Sequence, residues 1–121
     1  MIKGVGTDLC HISRMRKAVE RQHFIDRVFH QCEIDYAREH GDPARHYASA
    51  YAAKEALAKA GGWGLMRMGL KNCWVRRTPN GPVMEWNETL GHLLSPLAVE
   101  RCWLSLSHED DLALAFVILE S

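Results

Sequence analysis

The sequence predicts an α+β fold, with a small, largely antiparallel sheet packed against one long helix and several short ones. The N-terminal segment alternates apolar with small or polar residues, and a long alanine-rich stretch fills the middle of the chain. Two pairs of apolar segments, each joined by turn residues, follow in the second half. These segments show no regular β-α-β period, and no repeat or linker divides them. We therefore expect residues 1–121 to form one domain.

The first strand is expected over Ile2–Ile12, where the alternation is clearest. Ser13 is a typical N-cap residue and predicts a helix from there to about Gln22. Three cations share one face of that helix: Arg14, Lys17 and Arg21. This basic face in a neutral chain is either a solvated surface or a contact for an acidic protein.

The best-supported element is the long helix. A shorter helix is expected over Gln31–His40, ended by Gly41. Asp42-Pro43 then combines an N-cap residue with proline at the first helical position, which is a strong start signal. The following stretch runs to Lys59-Ala60, where Gly61-Gly62 stops it.

The second half of the chain reads as two hairpins separated by a short helix. Turns are expected at Pro79–Pro82 and around His108–Asp111. The predicted elements are the strands Leu70–Thr78, Val83–Trp86, Cys102–Ser107 and Leu112–Leu119, and the helix Asn87–Leu94.

Composition excludes several classes of protein. Fifteen basic and fifteen acidic side chains give a net charge of zero, so the overall positive field typical of nucleic-acid binders is missing. The longest apolar run, Leu112–Leu119, has eight residues, whereas a membrane-spanning helix needs roughly 20. Four scattered cysteines form no C-x-x-C pair, and the N-terminus has no apolar targeting core. We therefore expect a cytoplasmic protein with no membrane or nucleic-acid partner.

Two acids stand out as candidates for chemistry. Asp8 lies in an apolar strand where packing does not need it, so it either binds a cation or accepts backbone hydrogen bonds in a turn. Glu55 and Lys59 are four residues apart on the long helix, a spacing typical of a solvated ion pair. Carboxylates from separate elements, with a lysine nearby, also suit a magnesium-bound diphosphate.

Three motifs occur in order along the whole chain: Gly4-Val5-Gly6-Thr7-Asp8, Tyr51-Ala52-Ala53-Lys54-Glu55-Ala56 with Lys59-Ala60, and Ser105-Leu106-Ser107-His108. Together they resemble the holo-acyl-carrier-protein synthases, which are small 4'-phosphopantetheinyl transferases. Further matches to this family are Arg14, the Phe24-x-x-Arg27 segment and Glu33.

The resemblance implies the 4'-phosphopantetheinyl transferase fold and a phosphoryl-transfer reaction. In that reaction the phosphopantetheine arm of coenzyme A passes to a serine of apo acyl carrier protein, and adenosine 3',5'-bisphosphate is released. The resemblance makes Asp8, Glu55 and Lys59 the catalytic residues. Asp8 and Glu55 would ligate Mg²⁺, with Mn²⁺ as the alternative, and either Glu55 or a water on the metal would deprotonate the serine.

The resemblance also implies binding surfaces. It places the following residues at coenzyme A: Lys59, Gly62, Gly64, Asn80, Gly81, Pro82 and His108. A helix stop and two hairpin turns are the structural alternative for most of them. Because carrier proteins are acidic, the carrier-docking surface would consist of Arg14, Lys17, Arg21, Phe24 and Arg27. Family members are homotrimers with sites between subunits, which is the assembly expected here.

Some positions depart from the family pattern. His11 stands where a glutamate is usual, Ala50 where an arginine is usual, and Trp63 where a threonine is common. The family's cation between Gly81 and Pro82 is also missing. These departures leave an alternative interpretation, in which the protein is a catalytically weak or inactive relative that binds coenzyme A or a carrier protein. The joint presence of Asp8, Glu55 and Lys59 favours an active enzyme.

Overall fold

A computed structural model describes all 121 residues. Its strands are β1 (Ile2–His11), β2 (Cys73–Thr78), β3 (Gly81–Trp86), β4 (Arg101–Glu109) and β5 (Leu112–Glu120). Its helices are α1 (Ile12–Ala18), α2 (Gln22–Val28), α3 (Gln31–Glu39), α4 (Pro43–Gly61), α5 (Leu65–Met68) and α6 (Glu88–Leu94). Short 3₁₀ turns cover Leu70–Asn72 and Ser95–Leu97.

The main sheet has three antiparallel strands in the order β1-β5-β4, and β2 and β3 form a separate hairpin. Strand β5 is central, and its buried face carries Ala113, Ala115, Val117 and Leu119. Helix α4 packs across β1 and β5. The predicted α+β class is confirmed, with the long helix and the antiparallel sheet as its two main layers.

The N-terminal glycines set the distance between β1 and α4. A Cβ on Gly4 would collide with the carbonyl oxygen of Ala60, and a Cβ on Gly6 would collide with that of Ala56. Only glycine permits this backbone contact. The contact places Asp8, two residues further along β1, against the last turns of α4.

A buried ion pair ties α4 to the rest of the fold. Lys54 Nζ lies 2.9 Å from Glu33 Oε1, and the two side chains are 0% and 3% exposed. Lys54 also donates to the carbonyl oxygens of Leu70 and Cys73. Glu33, on α3, accepts hydrogen bonds from the backbone N–H groups of His30 and Val75. The pair therefore joins α3, α4 and β2, and each carboxylate oxygen of Glu33 has a partner.

The N-terminal helix differs from its prediction. It begins at Ile12 rather than after Ser13, and it ends at Ala18, after which α2 forms a second helix. In one continuous helix Ile25 would point about 220° around the axis from Ile12. Both side chains are buried in the structure. The break lets them share one core, so tertiary packing overrides the local helix signal.

The other boundaries mostly agree with prediction. Helices α3, α4 and α6 occupy the expected segments, and Asn87 caps α6 by accepting from the N–H of Leu90. Asp42 does precede α4, but it has a left-handed backbone and its carboxylate accepts from Arg16 instead of capping the helix. Strand β2 begins at Cys73 rather than Leu70, because a 3₁₀ turn precedes it, and α5 was not predicted. Strand β4 extends through Glu109, so His108 lies in a strand rather than in the turn.

One face of the main sheet is apolar and exposed. Its large exposed side chains include Val5, Leu9, Trp103, Leu114 and Phe116. No helix packs on this side, since α4 covers the opposite face. None of the helices is long and apolar enough to span a membrane, and all four cysteines are free.

Candidate active site

The structure brings Asp8, Glu55 and Lys59 together where β1 crosses α4. The carboxyls of Asp8 and Glu55 are close enough for the charge of one to act on the ionisation of the other. Lys59 Nζ lies 2.9 Å from Asp8 Oδ1 and 3.1 Å from the carbonyl oxygen of Thr7. The i, i+4 spacing had suggested that Lys59 pairs along the helix with Glu55. In the structure it pairs with Asp8 of β1 instead.

The pKa of Glu55 lies close to neutral pH. Burial raises the pKa of Glu55 to about 7, and the negative charge of the neighbouring Asp8 carboxyl contributes to the rise. Burial, together with the charge of the neighbouring Glu55, raises the pKa of Tyr51 to about 12. Tyr51 thus stays a neutral donor, while Glu55 can exchange a proton near neutral pH.

One oxygen of the site has no partner. Asp8 Oδ2 is buried and makes no hydrogen bond, although the Asp8 side chain is 10% exposed as a whole. A buried carboxylate oxygen without a partner is costly, and such an atom beside a second carboxyl fits a hard divalent cation. No group of three or more His, Cys, Asp or Glu side chains converges here. A cation would therefore depend on water and substrate oxygens for its remaining ligands, as Mg²⁺ commonly does.

A cleft extends from Glu55 to the helices that follow β1. Its volume is about 280 Å³, and Tyr51 and Glu55 line one side while Arg14 and Phe24 line the other. Cys10 also faces this cleft. Burial raises the pKa of the Cys10 thiol to about 11, with the charges of Glu55 and Asp8 adding to the effect. The thiol is therefore neutral at physiological pH and contributes no nucleophile.

The residues predicted to form the carrier-docking surface are divided between two helices. Arg14 and Lys17 lie on α1, but α1 ends before Arg21, so the single helical face expected from the sequence does not form. Arg21, Phe24 and Arg27 instead line a groove of about 390 Å³. The groove and the cleft share Phe24 as a common wall. The basic residues consequently adjoin the route to the carboxylates.

A second basic region was not foreseen from the sequence. Arg45 Nη1, on α4, lies 3.3 Å from His108 Nε2. Arg77, on β2, lies 4.6 Å from the centre of the Tyr36 ring and lines a small cavity beside Ala50. Neither arginine forms an ion pair with a carboxylate. The Arg76-Arg77 repeat before the hairpin turn is the only sequence signal for this region.

The remaining predicted coenzyme A residues lie in turns. Gly62 ends α4 with φ of 77°, and Gly64 precedes α5. Asn80, Gly81 and Pro82 lie at the β2–β3 turn, where Gly81 has φ of 109°. Within this chain, no hydrogen bond or ion pair joins the β2–β3 turn to Asp8 or Glu55. The structure thus groups the catalytic candidates but leaves the hairpin residues outside the group.

Comparison with known proteins decides the family. The model of the 4'-phosphopantetheinyl transferase superfamily matches residues 4–117. The chain belongs to this superfamily. Among similar curated proteins are two transferases named holo-[acyl-carrier-protein] synthase. The one from Thiobacillus denitrificans is 40% identical over 99% of this chain and 95% of its own. The one from Clostridium acetobutylicum is 33% identical over 99% of this chain and 98% of its own.

Solved structures show the same transferase fold. The holo-[acyl-carrier-protein] synthase of Neisseria meningitidis superposes with a TM-score of 0.91 at 32% identity, covering 100% of both chains. The synthase of Bacillus anthracis, solved in complex with CoA (3',5'-ADP), superposes with a TM-score of 0.82 at 28% identity, covering 100% of this chain and 98% of that chain. The protein is therefore a phosphopantetheinyl transferase in fold and enzyme class, as the motifs predicted.

Proposed function

We propose that this transferase moves the 4'-phosphopantetheine arm of coenzyme A to a serine hydroxyl of apo acyl carrier protein. The serine oxygen forms a bond to the phosphorus that carries the arm, and the bond from that phosphorus to the leaving adenosine 3',5'-bisphosphate breaks. The serine proton needs an acceptor. The observation that carries the proposal is the buried, unpartnered oxygen of Asp8 beside Glu55 and Lys59.

Asp8 and Glu55 would hold Mg²⁺, or Mn²⁺ in its place. When bound, the cation neutralises charge on the diphosphate of coenzyme A. Lys59 is 58% exposed, so its ammonium can contact phosphate oxygens at the mouth of the site. Glu55, whose pKa lies at about 7, is suited to accept the serine proton.

Coenzyme A would lie across the basic region. His108 and Arg45 contact each other and can both reach an anion, because Arg45 has no carboxylate partner. We assign the nucleotide end to this region, together with the turn residues Gly62, Gly64, Asn80, Gly81 and Pro82. The B. anthracis relative was solved with CoA (3',5'-ADP), which supports coenzyme A as the ligand of this fold.

The carrier-docking surface would hold the acidic carrier. Arg14, Lys17, Arg21 and Arg27 are exposed and Phe24 is half-buried, which gives an apolar anchor surrounded by cations. Because the cleft leads from Arg14 and Phe24 to Glu55, a carrier docked here could present its serine to the carboxylates.

We further propose a homotrimer with sites between subunits. The apolar face that includes Val5, Leu9, Leu114 and Phe116 is exposed in the single chain, and patches of this kind usually mark a protein interface. Leu9 of this face also lines the cleft that contains Glu55, so a second copy bound there would adjoin the site. The four free cysteines suit a reducing, cytoplasmic location.

The test is the intact mass of apo acyl carrier protein after incubation with the enzyme, coenzyme A and Mg²⁺. We expect a gain of one phosphopantetheine, with the rate reduced by about 10² or more in Asp8→Asn and Glu55→Gln. Glu100→Gln is the matched control, because Glu100 is exposed and forms no ion pair. If several carriers gain no mass while coenzyme A still binds, the protein is instead the binding-only relative.

A further inference from the structure

Helix α1 starts without a cap of its own. It has seven residues, His11 before it makes no side-chain capping bond, and its first turn contains no acid. So short a helix is marginal by itself, and its first N–H groups need acceptors from elsewhere. Ser13, a typical capping residue, is already inside the helix and does not cap it.

Asp111 supplies these acceptors from the turn between β4 and β5. Its backbone oxygen accepts from the N–H of Ile12 at 2.8 Å. Its carboxylate accepts from the N–H of Ser13 at 2.9 Å and from the Ser13 hydroxyl at 2.6 Å. His11 Nδ1 lies 3.7 Å from the same carboxylate. We call this set of contacts the Asp111 clasp.

The register of the three-stranded sheet sets the position of the Asp111 clasp. Leu112, at the start of β5, pairs with both His11 of β1 and Glu109 of β4. Asp110 takes a left-handed conformation with φ of 51°, which turns the chain so that Asp111 faces the end of β1. The hydrogen bonds with Ser13 lower the pKa of the Asp111 carboxyl, so it is charged at neutral pH and also favours the positive end of the helix.

Asp111 belongs to the turn that follows His108, while Ser13 directly precedes Arg14. Arg14 and Glu55 line the same cleft. We infer that Asp111 is a positioning residue, which fixes α1 and therefore Arg14 at the angle needed for carrier docking. This inference rests on the proposed function, because it specifies how the carrier-docking surface is aligned with the carboxylates.

The test compares substitutions in the one turn. For Asp111→Ala we expect KM for the carrier to rise roughly five- to tenfold, the effect of losing a helix cap, with KM for coenzyme A and kcat within about twofold. Asp111→Asn keeps an acceptor for the Ser13 N–H and should restore KM to within about twofold of wild type. Ser13→Ala removes only the hydroxyl contact and should give a smaller rise. Asp110→Asn is the matched control, because it makes the same charge change at a residue without side-chain contacts to α1.

A second readout needs no catalysis. Hydrogen exchange of the α1 amides should be roughly five- to tenfold faster in Asp111→Ala, while the α2 amides exchange as in wild type. If wild-type protein transfers nothing, the proposed function fails, and the exchange data still test the clasp. Equal rises in both KM values, unchanged carrier KM despite faster α1 exchange, or an Asn variant as impaired as the Ala variant would each overturn the inference.

Discussion

Helix α4 carries two lysines that pair with carboxylates at the same distance but in opposite environments. Lys54 and Lys59 each lie 2.9 Å from an acid, Glu33 and Asp8 respectively. The Lys54 pair is 0% and 3% exposed, whereas Lys59 is 58% exposed. Five residues along one helix therefore separate a structural contact in the interior from a contact that faces the solvent.

The two pairs differ most in what is left unsatisfied. Both oxygens of Glu33 accept backbone hydrogen bonds, and Lys54 has two further carbonyl partners. Asp8 Oδ2 has no partner, and Glu55 adjoins it with a pKa of about 7. The Lys54–Glu33 pair has no hydrogen-bonding capacity left for a ligand. The Asp8–Lys59 pair has an acceptor oxygen without a partner, and the neighbouring Glu55 can exchange a proton near neutral pH. The completeness of hydrogen bonding, rather than residue type or distance, separates the structural Lys54–Glu33 pair from the candidate site.

The largest expected effect follows from breaking the buried Lys54–Glu33 pair. Lys54→Met leaves the Glu33 charge buried without its cation, which should lower the free energy of unfolding by about 3–5 kcal/mol. Urea denaturation, monitored by circular dichroism, measures this change in the free energy of unfolding. The matched variant Lys59→Met should cost clearly less stability, because Lys59 is 58% exposed and water can replace part of its contact with Asp8. Equal losses in the two variants would show that the distinction is wrong.

The sequence predicted the elements better than the contacts between them. The start and stop of α4 follow from Asp42-Pro43 and Gly61-Gly62, which are local signals. The α1–α2 break depends on where the core lies, and the Asp111 clasp joins residues 98 positions apart. Neither leaves a local pattern.

The site was predicted in part for the same reason. Asp8 and Glu55 were singled out by their motifs, but only the fold shows that Gly4 and Gly6 allow β1 to approach α4 and bring the carboxyls together. Lys54 and Glu55 are adjacent in one motif, yet one faces the interior and the other the cleft. Which of the two faces the interior depends on how α4 is rotated about its axis against the rest of the fold, and the sequence does not specify this rotation.

An intermediate effect should come from removing the exposed lysine. Lys59→Met loses one cation for the diphosphate, and we expect kcat/KM for coenzyme A to fall about tenfold, the equivalent of one charge-assisted hydrogen bond in a solvated position. Steady-state transfer assays at two salt concentrations measure this, with Lys59→Arg as the control that keeps the charge. An unchanged kcat/KM in Lys59→Met would remove Lys59 from the catalytic set.

The smallest effect concerns the stability cost of ionising Glu55 in its partly buried position. Burial raises its pKa in the folded protein to about 7 from an ordinary value of 4.5, so the folded state binds the proton more tightly than the unfolded state. The stabilisation is fully present below about pH 4.5 and is lost as the pH rises through 7. Glu55→Gln cannot ionise, and in chelator its Tm should match wild type most closely near pH 5 and exceed it by roughly 2 °C or more at pH 8.

Calorimetry across this pH range, with Glu100→Gln as the control for an exposed carboxylate that forms no ion pair, isolates the contribution of Glu55. Parallel wild-type and Glu55→Gln curves would mean that ionisation of Glu55 costs no stability. A gap that opens with rising pH and closes on addition of Mg²⁺ to the wild type would identify the cation as the compensating charge. The Glu33–Lys54 pair carries its compensating charge within the chain, and this is why the fold can bury it permanently and the site cannot.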